Sequence, residues 1–132
     1  MNATELVLAV GHDLDRLRAE FHPVDLDRVR ILPAPAPLRL LLPRDVGAIA
    51  IWKRIYIRPE LFYGEPRRIR YLILHELVHV RQWVTFGVVG FLRRYLSEYF
   101  RGRRKGLGHA IAYQSNRLEL EARQLADSYR TV

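Results

Sequence analysis

Apolar residues recur along the chain with two different periods. Leu6, Val10, Leu14, Leu17 and Phe21 form one stripe at steps of four, four, three and four. That is the buried face of an amphipathic helix, and it predicts one from Thr4 to Phe21, ended by Pro23. From Arg28 to Leu32 polar and apolar residues alternate, as in a half-buried strand. Pro33, Pro35 and Pro37 predict a short extended connector, because each proline fixes φ and lacks a ladder donor. Leu38 to Leu42 reads as a second short strand, and Pro43 to Gly47 as a turn. Ile49, Ile51, Ile55 and Ile57 share one face of an extended chain. Lys53 interrupts that face, which favours a hairpin turning there over one long strand.

The remainder is helical in pattern. After a loop from Pro59 to Pro66, with Pro66 suited to a first helical position, a helix is predicted from Arg67 to Phe86. Gly87 and Gly90 interrupt it, and a second amphipathic stretch covers Phe91 to Phe100. Residues 101–108 (RGRRKGLG) read as an exposed basic loop. A last helix runs from Arg117 to Tyr129 on the stripe Leu118, Ala122, Leu125 and Tyr129. A helix, then strands, then helices predicts the α+β class. The length of 132 residues fits a single domain over 1–132.

Composition narrows the chemistry. The chain has no Cys, which excludes a disulfide scaffold, a thiolate metal site and a thiol nucleophile. Lys and Arg number 22 against 14 Asp and Glu, a net charge of +8, and 20 of the 22 are Arg. Such a balance favours acidic partners but says nothing of fold. The first residues carry no basic n-region, and the apolar run Leu6 to Val10 is too short for a signal peptide. No stretch approaches the ~20 apolar residues of a membrane span. The expectation is a soluble cytoplasmic protein.

The candidate chemistry lies at His75-Glu76-Leu77-Val78-His79, an H-E-x-x-H motif. Two His four positions apart on a helix project about 40° from one another, so both imidazoles can reach one ion. Glu76 on the adjoining face is placed to act as general base toward a water activated by that ion. Tyr71, Leu72, Ile73, Leu74, Leu77, Val78 and Val80 make the helix apolar nearly all round. His75, Glu76, His79 and Gln82 therefore form a polar arc on a buried helix. Isolated polar groups there would each cost a few kcal/mol, and a metal ion would partner them together. The bland alternative is a His pair satisfied by backbone or by Glu76, without metal.

A catalytic zinc needs a third protein ligand. The extended H-E-x-x-H-x-x-G-x-x-H pattern fails, because Gln82 and Thr85 occupy its last two positions. His12, His22 and His109 have no spacing signal. Among the downstream acids, Glu119 and Glu121 sit on opposite borders of the last helix's apolar stripe, so periodicity does not choose between them. Glu119 is bordered by Ala122 and Ala126, whose small side chains would allow close approach of two helices. Glu121 neighbours Leu118 and Leu125. Asn116 and Glu119 also have capping-box spacing, which offers Glu119 a purely structural role.

His75-Glu76-Leu77-Val78-His79 followed by Glu119-Leu120-Glu121-Ala122 resembles the zinc metallopeptidases called gluzincins, and more closely their small single-domain members, the minimal gluzincins. The resemblance covers roughly Ala48 to Ala126. It implies a zincin-like fold, Zn²⁺ held by His75, His79 and Glu119, Glu76 as general base, and a peptide or protein substrate. It places the third ligand in a Glu-x-x-Ala pattern, which Glu119 to Ala122 matches. It implies an oxyanion-stabilising Tyr or His near the third ligand, for which Tyr113 and His109 are candidates. It also implies a strand forming the upper rim of the cleft, where Ile55 to Arg58 could bind an extended peptide by strand addition. Many such enzymes carry Asp just after the Ala, and this chain has Arg123.

Basic residues concentrate between the motif and Glu119. Residues 81–105 hold Arg81, Arg93, Arg94, Arg101, Arg103, Arg104 and Lys105 against Glu98 alone, +6 of the total +8. Tyr95, Tyr99 and Phe100 interleave with them. The segment reads as a solvated face, as a nucleic-acid contact, or as a contact with an anionic membrane surface. The latter two define an alternative function, a zinc-containing binding module without turnover.

Overall fold

The computed structural model describes the backbone of residues 1–43 and 46–129; the side chains of 109, 110 and 114 lie outside the described residues. Helix α1 (Ala3–Ala9) starts at Asn2, whose side chain accepts from the Glu5 amide at 2.9 Å. Helix α2 (Leu14–Phe21) starts at Asp13, which accepts from the Arg16 amide at 3.2 Å. The helix expected over 4–21 is thus two helices. Gly11 takes φ +85° between them, and Asp13 recaps the chain. The apolar stripe survives the break, since Leu6, Leu17 and Phe21 are all buried.

Strand β1 (Arg30–Pro33) leads to helix α3 (Ala36–Leu41), which replaces the strand expected over Leu38 to Leu42. Pro35 as N-cap and Pro37 in the first turn bias the backbone toward a helix start. No residue of α3 is buried, so its leucines have no sheet face to satisfy. The turn expected over 43–47 falls partly on residues 44–45, outside the described residues. Strands β2 (Ala48–Ile51) and β3 (Arg54–Ile57) form the expected hairpin, turning at Trp52 and Lys53.

The sheet order is β1-β3-β2, with β1 parallel and β2 antiparallel to β3. This corrects the strand-addition expectation for Ile55 to Arg58. Strand β3 is central, and both of its edges are paired. The free-edge strand beside the motif helix is β2. Ile31, Ile55 and Ile57 point into one core with Leu17, Phe21 and the next helix.

Helix α4 (Pro66–Arg104) follows a 3-10 turn over Pro59–Tyr63, where a plain loop was expected. It bends at Gly87, whose φ 74° and ψ 169° are not helical, whereas Gly90 stays within the helix. The second arm runs on to Arg104, so the first half of the expected 101–108 loop is helical. The first arm carries the core residues Ile73, Leu77, Val78 and Val80, all fully buried. Past the bend, Phe91 stacks on Trp83 at 4.0 Å between ring centroids. A short helix α5 (His109–Gln114), not expected from the sequence, precedes α6 (Arg117–Ser128). Ala122 and Ala126 of α6 join the same core as the first arm. The architecture is mixed α+β, and no described helix is long and apolar enough to cross a membrane.

The bend at Gly87 needs a backbone conformation that is essentially restricted to glycine. Nothing lies within 4 Å of a Cβ built there, so a side chain would meet strain and not a clash. Gly87→Ala is expected to lower stability by about 1–3 kcal/mol in urea unfolding. An unchanged midpoint would contradict the bend.

Candidate metal centre

The motif helix and α6 each deliver part of the centre. On the first arm of α4, His75 and His79 stand one turn apart with their rings edge to face, 5.0 Å between centroids. On α6, Asn116 sets the start of the helix by accepting from the Leu118 amide at 3.0 Å. Its side-chain amide donates to the Tyr95 carbonyl at 3.0 Å, tying α6 to the second arm of α4. Glu119 then falls in the first turn of α6, where the helix N-terminus favours a carboxylate. Asn116 does act as the cap, but Glu119 turns toward the histidines.

Glu119 Oε2 lies 3.1 Å from His75 Nε2, and Oε1 lies 3.2 Å from His79 Nε2. One ligand atom from each of the three residues lies within 4.8 Å of the others. These separations suit a shared ion. A tetrahedral zinc with bonds of about 2.0–2.1 Å spaces its ligand atoms about 3.3 Å apart. Two imidazoles and a carboxylate are also a donor set that zinc accepts. Glu121 is not brought in: its half-exposed carboxylate faces Arg81 at 3.7 Å. His12 bonds the Arg70 carbonyl at 3.1 Å, and His22 is exposed.

The centre is buried. His75 is 9% exposed, and Glu76, His79 and Glu119 are 5% each. Burial dominates the proton affinity of Glu76 and pushes it up, against the pull of His79 and His75. The Ala50 backbone of β2 also faces this carboxyl and favours its charged form. The Ala50 carbonyl meanwhile accepts from Trp83 Nε1 at 3.1 Å, so α4 side chains already occupy part of the β2 edge.

Two partners escaped the sequence reading. Gln82 Oε1 accepts from His79 Nδ1 at 2.8 Å, and Gln82 Nε2 donates to the Leu118 carbonyl at 3.0 Å. The second contact orients the amide, so His79 donates from Nδ1 to Gln82 and turns Nε2 toward Glu119. Gln82 thus supplies an outer partner to a ligand-type His, on the motif helix itself. Its place in the polar arc was the available signal. Tyr95 donates to Glu119 Oε1 at 3.2 Å. Its signal was weaker, an inward position four residues after Phe91. Tyr113 is half-buried, and burial together with the Glu119 charge keeps both phenols protonated. The His109 side chain, the other oxyanion candidate, lies outside the described residues. Among the described residues, His75 Nδ1 is buried without a partner.

No family model, curated protein or solved structure matches the chain.

Proton linkage gives a test of the geometry in the metal-free chain. Burial alone would raise Glu119 and lower His79, but their mutual contact reverses both. Hydrogen bonds from His75 and His79 hold Glu119 well below the usual carboxylate range. Glu119 lifts His79 from 6.5 to about 9. A raised folded pKa contributes stability below the unfolded value and loses it as pH climbs through the folded value. The metal-free chain is therefore expected to lose stability between pH 6.5 and about 9, as a falling urea midpoint. Glu119→Gln should flatten that decline. A parent chain with a level midpoint across this window would contradict the contact.

Proposed function

We propose that the chain is a zinc-dependent peptide hydrolase of zincin-like fold, with Zn²⁺ held by His75, His79 and Glu119. The observation that carries this reading is the convergence of Glu119, 40 positions after the motif, on both motif histidines. A buried carboxyl, Glu76, stands beside that cluster. When bound, the ion supplies Lewis acidity toward a water and toward the carbonyl oxygen of the scissile bond.

The protein's own residues do the rest. Glu76 takes a proton from the attacking water and later gives it to the departing amine, the same proton used twice. Burial raises its proton affinity, which suits a group that must hold that proton between steps. Gln82 keeps the His79 ring in one tautomer, with Nε2 turned toward the cluster. Tyr95 holds the Glu119 carboxylate from its other side. Tyr113, kept protonated beside Glu119, is the described phenol assigned to the charge that grows on the carbonyl oxygen. Gln82 gives His79 the kind of outer support that the resembled enzymes draw from an Asp at the Arg123 position.

Four variants test this reading. Glu76→Gln should keep one zinc per chain and cut peptide cleavage by about 10²–10⁴-fold. His79→Ala and Glu119→Ala should lose the zinc on dialysis, while Glu121→Ala keeps it. A parent chain that retains no zinc would overturn the metal assignment. A zinc-loaded parent that cleaves no peptide of a broad library would overturn the enzyme and favour a zinc-containing binding module.

A further inference from the structure

The second arm of α4 has two faces with opposite character. Its inner face is fixed by two contacts: Phe91 stacks on Trp83, and Gly102 lies so close to Ala112 that a Cβ there would approach to 3.1 Å. Tyr95 belongs to the same inner face and reaches Glu119. The outer face carries Val88, Val89, Leu92, Leu96 and Phe100, which are between 44% and 77% exposed. At about 100° per residue these five span an arc of about 120° on one side of the helix. A contiguous exposed apolar stripe of this kind marks an interaction surface.

We propose that this outer face docks on an anionic lipid bilayer, the stripe entering the interface and the bordering arginines meeting the headgroups. Charge decides the occupant. Arg93 and Arg104 lie within about 40° of the Phe100 edge of the stripe, and Arg103 closes its end. All three are exposed. No acidic residue falls on the stripe. Glu98, the one acid in residues 81–105, turns away and faces Arg101 at 3.5 Å and Arg117 at 3.9 Å. A second copy of this face would bring like charges together without acidic partners. Nucleic acid would meet the arginines but leave four aliphatic side chains without a counterpart, because its phosphates and stacked bases offer them little. An apolar stripe edged by Arg fits a membrane interface on both counts.

Arg81 takes no part, although it belongs to the same basic segment. It donates to the Glu20 carbonyl at 2.7 Å and pairs with Glu121. The docking arm also forms one wall of the metal centre through Tyr95. Docking would hold that centre about one helix diameter, roughly 10 Å, from the interface. The proposal does not rest on zinc or on turnover.

The test is co-sedimentation of the full chain with vesicles of phosphatidylcholine containing about 30% phosphatidylglycerol, beside pure phosphatidylcholine vesicles. The parent should sediment with the anionic vesicles and not with the neutral ones. Leu92→Ser/Leu96→Ser changes no charge and touches only exposed positions. It should weaken vesicle binding at least about tenfold with an unchanged circular dichroism spectrum. Arg93→Ser/Arg104→Ser should weaken it too and reduce its dependence on salt. Failure of the parent to bind overturns the proposal. So does full binding by the leucine variant, which would reduce the effect to the net charge of +8. Binding to single-stranded DNA in place of vesicles, or a parent dimer that the leucine variant makes monomeric without any vesicle binding, would assign the face to another partner.

Discussion

The Glu119 carboxylate sits between His75 and His79, and much of the buried half of the molecule serves to keep it there. The contact joins two helices far apart in sequence. It demands that α6 begin at a fixed place, which Asn116 provides, and that α6 approach α4 closely, which Ala122 and Ala126 permit. It also demands relief for three buried polar groups. A buried carboxylate and two imidazoles are costly alone and tolerable together, because each offers what the others lack. Gln82, Tyr95 and the β2 edge complete the enclosure. The same three residues that satisfy one another in the metal-free chain have the spacing to share an ion.

The bend at Gly87 completes this enclosure. A straight α4 would carry its second half away from α6. The bend instead returns Phe91 onto Trp83 and Tyr95 onto Glu119. One helix thereby supplies the motif on its first arm and the cover on its second. The face turned inward is aromatic and the face turned outward mainly aliphatic, ending at Phe100, with arginines along one border. A long basic segment that reads as mere solvation in sequence thus divides into three parts in space: an inner wall, an exposed apolar stripe and a charged edge.

Periodicity made the main elements legible where a residue's burial matched its local pattern. The α+β class, the motif helix and the last helix are all of that kind; the hairpin at Lys53 forms, but Ala48 and Ala50 share the buried face with Ile55 and Ile57, and Ile51 is exposed. Periodicity misread the places where backbone chemistry overrode hydrophobic spacing. Gly11 and Asp13 split a continuous apolar stripe into two helices, and Pro35 and Pro37 turned a leucine-rich run helical. The centre of the sheet was hidden because a strand's neighbours are not written in its own residues. In the candidate centre, His75, Glu76 and His79 follow from spacing alone. Glu119 could be ranked above Glu121 only through small neighbours and a family likeness, and distance separates them. Gln82 and Tyr95 were visible as residues but not as partners, since their roles depend on how α6 and the bent arm pack.

The most direct measurement is zinc-edge X-ray absorption on the zinc-loaded chain. A shell of about four nitrogen and oxygen atoms at about 2.0–2.1 Å is expected, with outer scattering from two imidazoles. His75→Ala should lose the zinc, as the other two ligand variants do. A six-oxygen shell, or zinc that persists in His75→Ala, would contradict a centre built from His75, His79 and Glu119.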